Sequence, residues 1–263
     1  MMTLIRNPAV AGQFYSGNPR ELRATIATLL DETQAQDTPA PKALIVPHAG
    51  YVYSGPVAAS AYARLRPYRQ QYTRVVLLGP CHRMPFHGLA LSSAGAYRMP
   101  MGDIPLDHAA VADLEIPGVQ VHDAAHASEH SLEVHLPFLQ AVLGEFAVVP
   151  IVVGDAAPEL VAQVLNALWG GPETLIVVSS DLSHYRPYFN ARALDAVTCS
   201  AIESLDAACL NHDMACGVTP VAGLLLAARQ HGLAVTTLDL RNSGDTAGER
   251  DSVVGYGAWM FAQ

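Results

Sequence analysis

Charge is what this sequence has least of. Asp, Glu, Lys and Arg make up 15% of its 263 residues, against 51% hydrophobic ones. That balance excludes a disordered chain, which needs high charge and little apolar material to stay unfolded. The 24 acids outnumber the 15 bases, for a formal net charge of -9. No lysine- or arginine-rich block occurs, so the chain lacks the means to neutralise a phosphate backbone or an anionic lipid surface. Neither nucleic acid nor membrane is expected as a partner. No run of 18 or more uninterrupted apolar residues exists either, so no transmembrane helix is expected. The opening MMTLIRNPAVAGQFY lacks the apolar core of a signal peptide, which makes the cytoplasm the expected address. Cysteine is scarce: Cys81, Cys199, Cys209 and Cys216 match no zinc-ribbon spacing and are expected as thiols in a reducing compartment. At least three of them should be ordinary core or near-core residues.

What is present is enough apolar sequence for one α/β domain over residues 1–263. PRELRATIATLLD (19–31) has helical periodicity, with Pro19 at a permitted first-turn position. A polar, proline-containing linker follows at 33–41. ALIVP (43–47), RVVLLG (74–79), FAVVPIVV (146–153) and TLIVVSS (174–180) are short apolar runs that read as buried strands. Helices are expected over 56–66, most of 128–143 with Ser128 as N-cap and Pro137 as a kink, 158–169, two stretches in 190–210, and 219–232. AVTTLDLR (234–241) and VVGYGAWMF (253–261), separated by the turn-forming SGDTAGERD, predict an antiparallel pair. The alternation predicts a three-layer α/β/α sandwich with a mixed, mostly parallel central sheet.

Ligands of open α/β sheets bind beyond the carboxyl ends of the strands. Three of the expected strands run into chemistry there: ALIVP into His48, RVVLLG into His82, TLIVVSS into Asp181 and His184. One histidine at a strand end is usually structural; three such endings on parallel strands would meet at one edge. EHSLEVHLPF adds Glu129, His130, Glu133 and His135. Its plain reading is a capped, solvent-facing helix start, with His130 and Glu133 on one face. It is not the HExxH of a zincin. His87, His108, His122, His126, His212 and His231 carry no placement signal and are read as structural or exposed. Cys216 precedes Gly217 just before a helix, where a helix N-terminus lowers thiol pKa. Spacing alone does not select it among four cysteines.

VPHAGYVYSG, LLGPCHRM, EHSLEVHLPFLQ, SSDLSHY, CGVTPV and the closing GERDSVVGYGA resemble the Memo family in order and spacing, from about Ala9 to Ala258. That family is similar in fold to class III extradiol dioxygenases, which use non-haem Fe(II) to open catechol rings. The resemblance implies that His48 and His82 are metal ligands. It implies Cys216 as the third, where the dioxygenases usually carry an acidic residue. It implies His184 as the base, with Asp181 beside it as its orienting partner, and His130 as the acid-side histidine. ACGVTPV departs from the eukaryotic form of this motif, which has a basic residue and a histidine after Cys-Gly.

A single transition metal is therefore expected: Fe(II) first, with Cu or Zn as alternatives because thiolate is a softer ligand than carboxylate. The leading expectation is a metal-dependent redox enzyme, dioxygenase-like, acting on a small oxygen-rich or aromatic substrate. A mononuclear metallohydrolase and a module that binds a peptide or phosphorylated ligand without turnover are the alternatives. The resemblance also implies a radical-SAM protein and a small accessory protein as partners.

Overall fold

A computed structural model of the chain describes residues 4–33 and 38–263; part of the expected linker, 34–37, lies outside them. The chain opens with β1 (Ile5–Arg6) and α1 (Pro19–Asp31). The Asn18 side chain caps α1 by accepting the N–H groups of Arg20 and Glu21. Next come β2 (Ala43–Val46), α2 (Tyr51–Tyr62) and β3 (Arg74–Pro80). A run of short elements follows: β4 (Leu89–Leu91), β5 (Ala96–Tyr97), β6 (Ile104–Pro105), α3 (His108–Val111), β7 (Val119–Val121) and α4 (Asp123–Ala127). The second half runs α5 (Leu136–Leu143), β8 (Ala147–Val153), α6 (Pro158–Ala167), β9 (Thr174–Ser179), β10 (His184–Arg186), α7 (Tyr188–Glu203), α8 (Val218–Gln230), β11 (Ala234–Asn242), α9 (Ser243–Thr246) and β12 (Val253–Ala262). Among the described residues, no helix is long and apolar enough to cross a membrane.

The main sheet has the order β10-β12-β2-β9-β3-β8-β4-β7, with β11 also paired to β12. Its centre is parallel: β2 with β9, β9 with β3, and β3 with β8. Antiparallel strands flank that centre, β12 beside β2 and β4 beside β8. β11 and β12 form the antiparallel pair that SGDTAGERD predicts. A small second sheet joins β1, β5 and β6.

Successive strand residues point to opposite faces, and the core divides on that alternation. Val75 and Leu77 join Leu44, Val46 and Val177 under α1, α2 and α5. Val76 and Leu78 join Ala43, Ile45 and Val178 under α6, α7 and α8. Both faces of the central strands are thus covered, which makes three layers.

Two helices differ from expectation. α2 starts at Tyr51, five residues earlier than the periodicity indicates, because Gly50 begins it and Pro56 is accommodated inside. The segment expected as one helix over 128–143 is broken. Ser128 ends α4, residues 129–132 form a loop, and a short 3₁₀ turn (Glu133–His135) leads into α5 with Pro137 in its first turn. Proline has no N–H to give and fits best at a helix start. His130 and Glu133 therefore do not share a helical face, and the loop holding Glu129 and His130 is free to reach the sheet edge.

Candidate metal centre

The parallel strands β2, β3 and β9 each deliver a side chain two residues past their last residue: His48, His82 and Asp181. The 129–132 loop brings His130 to the same edge, and β10 brings His184. Together with Cys216 these residues line one cavity of about 1000 Å³. Donor atoms of His48, His82 and His130 all lie within 4.8 Å of one another. The His48 and His82 rings are 5.1 Å apart, and His82 and His130 4.7 Å.

Hydrogen bonding assigns the tautomers. The Ser179 hydroxyl donates to the Ser131 carbonyl at 2.7 Å, so its oxygen accepts from His48 Nδ1–H at 2.6 Å. That leaves His48 Nε2 unprotonated, its lone pair next to the Cys216 Sγ at 3.5 Å. Burial pushes the His48 pKa well below its ordinary value, and the neighbouring His82 and His130 push the same way. His82 gives its Nδ1–H to Glu129 Oε1 at 2.9 Å, and its backbone N–H to Glu129 Oε2 at 2.6 Å. Burial alone would raise the Glu129 pKa. The hydrogen bonds from the His82 side chain and backbone, the His82 charge and the Ser131 N–H instead hold it down at about 2. A carboxylate behind one imidazole nitrogen with the other left open is the arrangement that orients metal-ligating histidines.

His130 is less settled by partners. Its Nδ1 lies 3.2 Å from Glu129 Oε1 but out of line for a hydrogen bond, so it counts as a buried nitrogen without a partner. Its ring stands edge-on to Phe14 at 5.0 Å and to His48 at 5.4 Å. Burial lowers its pKa, though Glu129 opposes the shift.

Cys216 Sγ lies 3.5 Å from His48 Nε2 and accepts the Asp181 N–H at 3.3 Å. It stands beside His48 but outside the group of three histidines whose donors mutually converge. The following Gly217 permits this approach: a Cβ there would come within 2.5 Å of the Ser179 carbonyl oxygen. The expected lowering of the thiol pKa is reversed. Burial, then the Asp181 carboxylate, push the Cys216 pKa up to about 12, outweighing the hydrogen bonds of the Asp181 N–H, the Ser180 hydroxyl and the Gly217 N–H. Without a cation beside it Cys216 is a thiol.

Asp181 also differs from its expected part. It does not orient His184. Its Oδ1 accepts the His48 backbone N–H at 2.8 Å, and its Oδ2 lies 4.0 Å from His48 Nε2. His184 gives its Nδ1–H to the Leu182 carbonyl at 2.7 Å, which leaves Nε2 open. The next residue, Tyr185, is exposed at the cavity mouth with φ 56°, a left-handed conformation unusual for a tyrosine.

Of the remaining histidines, His126 is a satisfied core residue between Tyr97 and the Ala90 carbonyl, and His87 is exposed. His212, expected to be structural or exposed, is exposed and also lines the cavity. Cys209 is a correction: it sits exposed in the polar turn after Asp206, so only two of the remaining cysteines, Cys81 and Cys199, lie in or near the core. Sequence reasoning missed Glu129, Ser179 and Ser131 as partners of the site. The signal for Glu129 was its place directly before His130.

A family model described as Memo-like protein matches residues 6–260. A MEMO1 family protein of Methanopyrus kandleri is 37% identical, over 97% of this chain and 98% of that protein. One of Aquifex aeolicus is 37% identical, over 98% and 99%, and one of Sulfolobus acidocaldarius is 34% identical, over 96% and 98%.

Proposed function

The chain belongs to the Memo family, and on that premise we propose a metal-dependent redox enzyme, dioxygenase-like, that acts on a small oxygen-rich or aromatic substrate. In this reading His48, His82 and Cys216 hold one transition-metal ion, and His184 and His130 move protons. The observation that carries it is the pair of oriented imidazoles: His48 and His82 each have Nδ1 committed, to Ser179 and Glu129, which leaves Nε2 unprotonated at a shared cavity, with Cys216 Sγ 3.5 Å from that of His48. Neutral imidazole lone pairs and a thiol beside them fit a transition metal and would be a poor set for Ca²⁺ or Mg²⁺. Bound there, Fe(II), or Cu in its place, supplies Lewis acidity and one-electron redox chemistry.

The protein's own groups do the rest. His184, fixed through Nδ1 by Leu182, has Nε2 free to accept a hydroxyl proton from a substrate in the cavity. His130, with its unpartnered nitrogen, returns a proton on the other side. Asp181 holds the His48 backbone and so keeps that ring at the edge.

A second donor set has its own observation: His48, His82 and His130 converge within 4.8 Å. The two sets differ at one position, so metal content of Cys216→Ser and His130→Ala separates them. The function itself is tested by metal analysis of protein purified without oxygen. Iron or copper supports the redox reading; zinc favours a hydrolase; a protein that retains no metal and gains none on titration overturns it. His184→Ala should keep its metal while losing about 10²–10⁴-fold in turnover of any substrate found, as loss of a general base does.

A further inference from the structure

A second cavity, of about 660 Å³, adjoins the first at His212 and Cys216. Cys216 therefore stands in a wall shared by two cavities, with a face toward each. The walls of the two differ. The main cavity carries two guanidinium groups, Arg83 and Arg186, against the carboxylates of Asp181, Asp213 and Glu249. The second has no lysine or arginine at all. Its charged residue is Asp155, exposed and 3.0 Å from the exposed His87. The same cavity is lined by Cys81, whose Sγ donates to the Met84 carbonyl at 3.1 Å, by Met84 itself, and by Cys216. Among the described residues no three donors converge in it, so it is not a second chelate.

We propose that this second cavity is the loading route for the metal of the site: a soft cation enters past Asp155 and His87, passes the sulfur atoms of Cys81 and Met84, and reaches Cys216 from behind. The inference rests on the metal-site reading above. Three features carry it. Sulfur donors bind soft, thiophilic cations in preference to hard ones. A carboxylate at a mouth that carries no lysine or arginine raises the local concentration of positive ions there. Single, separated donors bind weakly enough to release an ion to a better set, which a converging trio would not do. The main cavity is then left to the substrate, and the metal can load without crossing it.

The test is the rate of loading, read without any turnover. Cd²⁺ added to metal-free protein should give the ultraviolet thiolate-to-metal band, absent in Cys216→Ser. In the double variant Cys81→Ser/Met84→Leu the band should grow about tenfold more slowly, to the same final amplitude and with the same affinity, since a route changes entry and exit together. Loading of the hard ion Mn²⁺, followed by its paramagnetic resonance signal, should keep its rate. Asp155→Asn, an exposed change that does not disturb packing, should slow Cd²⁺ loading severalfold at low ionic strength and lose that effect in salt. Unchanged Cd²⁺ rates in both variants would overturn the route. So would a parallel loss of affinity, which would make Cys81 or Met84 a ligand. A wild-type protein that gives no band at all fails at the metal site itself, a separate result.

Discussion

Glu129 and Glu133 stand four residues apart in EHSLE, both buried, and each accepts four hydrogen bonds. Those of Glu129 come from the His82 ring, the His82 N–H and the N–H groups of His130 and Ser131. Those of Glu133 come from Arg6, the N–H groups of Ala9 and Val10, and the Tyr15 hydroxyl. Arg6 also donates to the His126 and Glu129 carbonyls. One carboxylate lies behind His82 and aims its ring at the cavity; the other faces the body of the protein and fastens the N-terminal segment to the loop. Chemically identical groups on one short loop thus divide function from framework by direction alone. Removing the first should cost metal, and removing the second should cost the fold.

The largest effect expected is on the framework side. Glu133→Ala strands the Arg6 guanidinium, which is buried. Breaking a buried pair from one side costs about 3–5 kcal/mol, so chemical denaturation should show a loss of that order. Metal affinity of the fraction that remains folded should stay near wild type. If metal affinity falls while stability holds, the division between the two glutamates is wrong.

Acid should expose the same side next. Burial lowers the His126 pKa to about 4, so the folded protein resists a proton that the unfolded chain accepts near 6.5. Stability is full above that value and falls as pH drops from about 6.5 to about 4, where the folded form also protonates. The difference amounts to about 3 kcal/mol. Glu129, held at about 2, stays ionised through this window, so the carboxylate behind His82 is intact while the framework weakens. Denaturation free energies of wild type and His126→Gln across pH 4–7 check this: both curves should fall toward acid, because His48, His130 and His135 are also held neutral by burial, and the wild-type curve should fall more steeply, by about 3 kcal/mol over the range.

On the site side, Glu129→Gln keeps an oxygen for the His82 ring but loses the charge and sets an NH₂ group against an N–H donor. Loss of such a partner behind a metal-ligating histidine typically costs about 10–100-fold in affinity. Competition titration against a chelator of known affinity measures it. An unchanged affinity would leave Glu129 with a purely structural part.

How much of this was readable from the residues follows the same division. The buried strands ALIVP, RVVLLG and TLIVVSS are apolar on both faces, and that pattern fixes their place at the centre of a layered sheet. Their parallel pairing then puts His48, His82 and Asp181 at one edge, because direction follows from topology rather than from side chains. The loop at 129–132 was not readable, since Ser128 and the apolar spacing through Leu143 imitate a helix start. The halt comes from contacts more than a hundred residues away, chiefly Arg6 and Tyr15 on Glu133. The state of Cys216 was not readable either. Its position before a helix argues for a thiolate, while burial and Asp181, known only from the fold, argue the other way and win. Asp181 itself lies only three residues before His184 and yet serves His48, because the turn after β9 gives the His184 hydrogen bond to the Leu182 carbonyl.

The finest test of the comparison lies between His48 and His82, the two histidines proposed as ligands. His82 is aimed by a carboxylate and His48 by a hydroxyl, that of Ser179. Hydrogen bonds to an ionised acceptor are roughly twice as strong as neutral ones. Ser179→Ala should therefore cost less affinity than Glu129→Gln, near the tenfold end of the range for such partners. The mechanism of the loss is specific. With the Ser179 oxygen gone, nothing accepts His48 Nδ1–H, and the ring is free to carry its proton on Nε2, where it blocks the lone pair that faces the cavity. Ser179 is fully buried and its hydroxyl makes two hydrogen bonds, to the Ser131 carbonyl and from the His48 ring, so stability should fall by about 1–3 kcal/mol. Chelator competition at neutral pH, with nitrogen-15 chemical shifts of the histidine rings in metal-free protein, reads both parts. The shifts should move His48 from one tautomer toward a mixture and leave His82 alone. A loss in Ser179→Ala equal to or larger than that in Glu129→Gln would mean that the hydroxyl, and not the carboxylate, sets the site's grip.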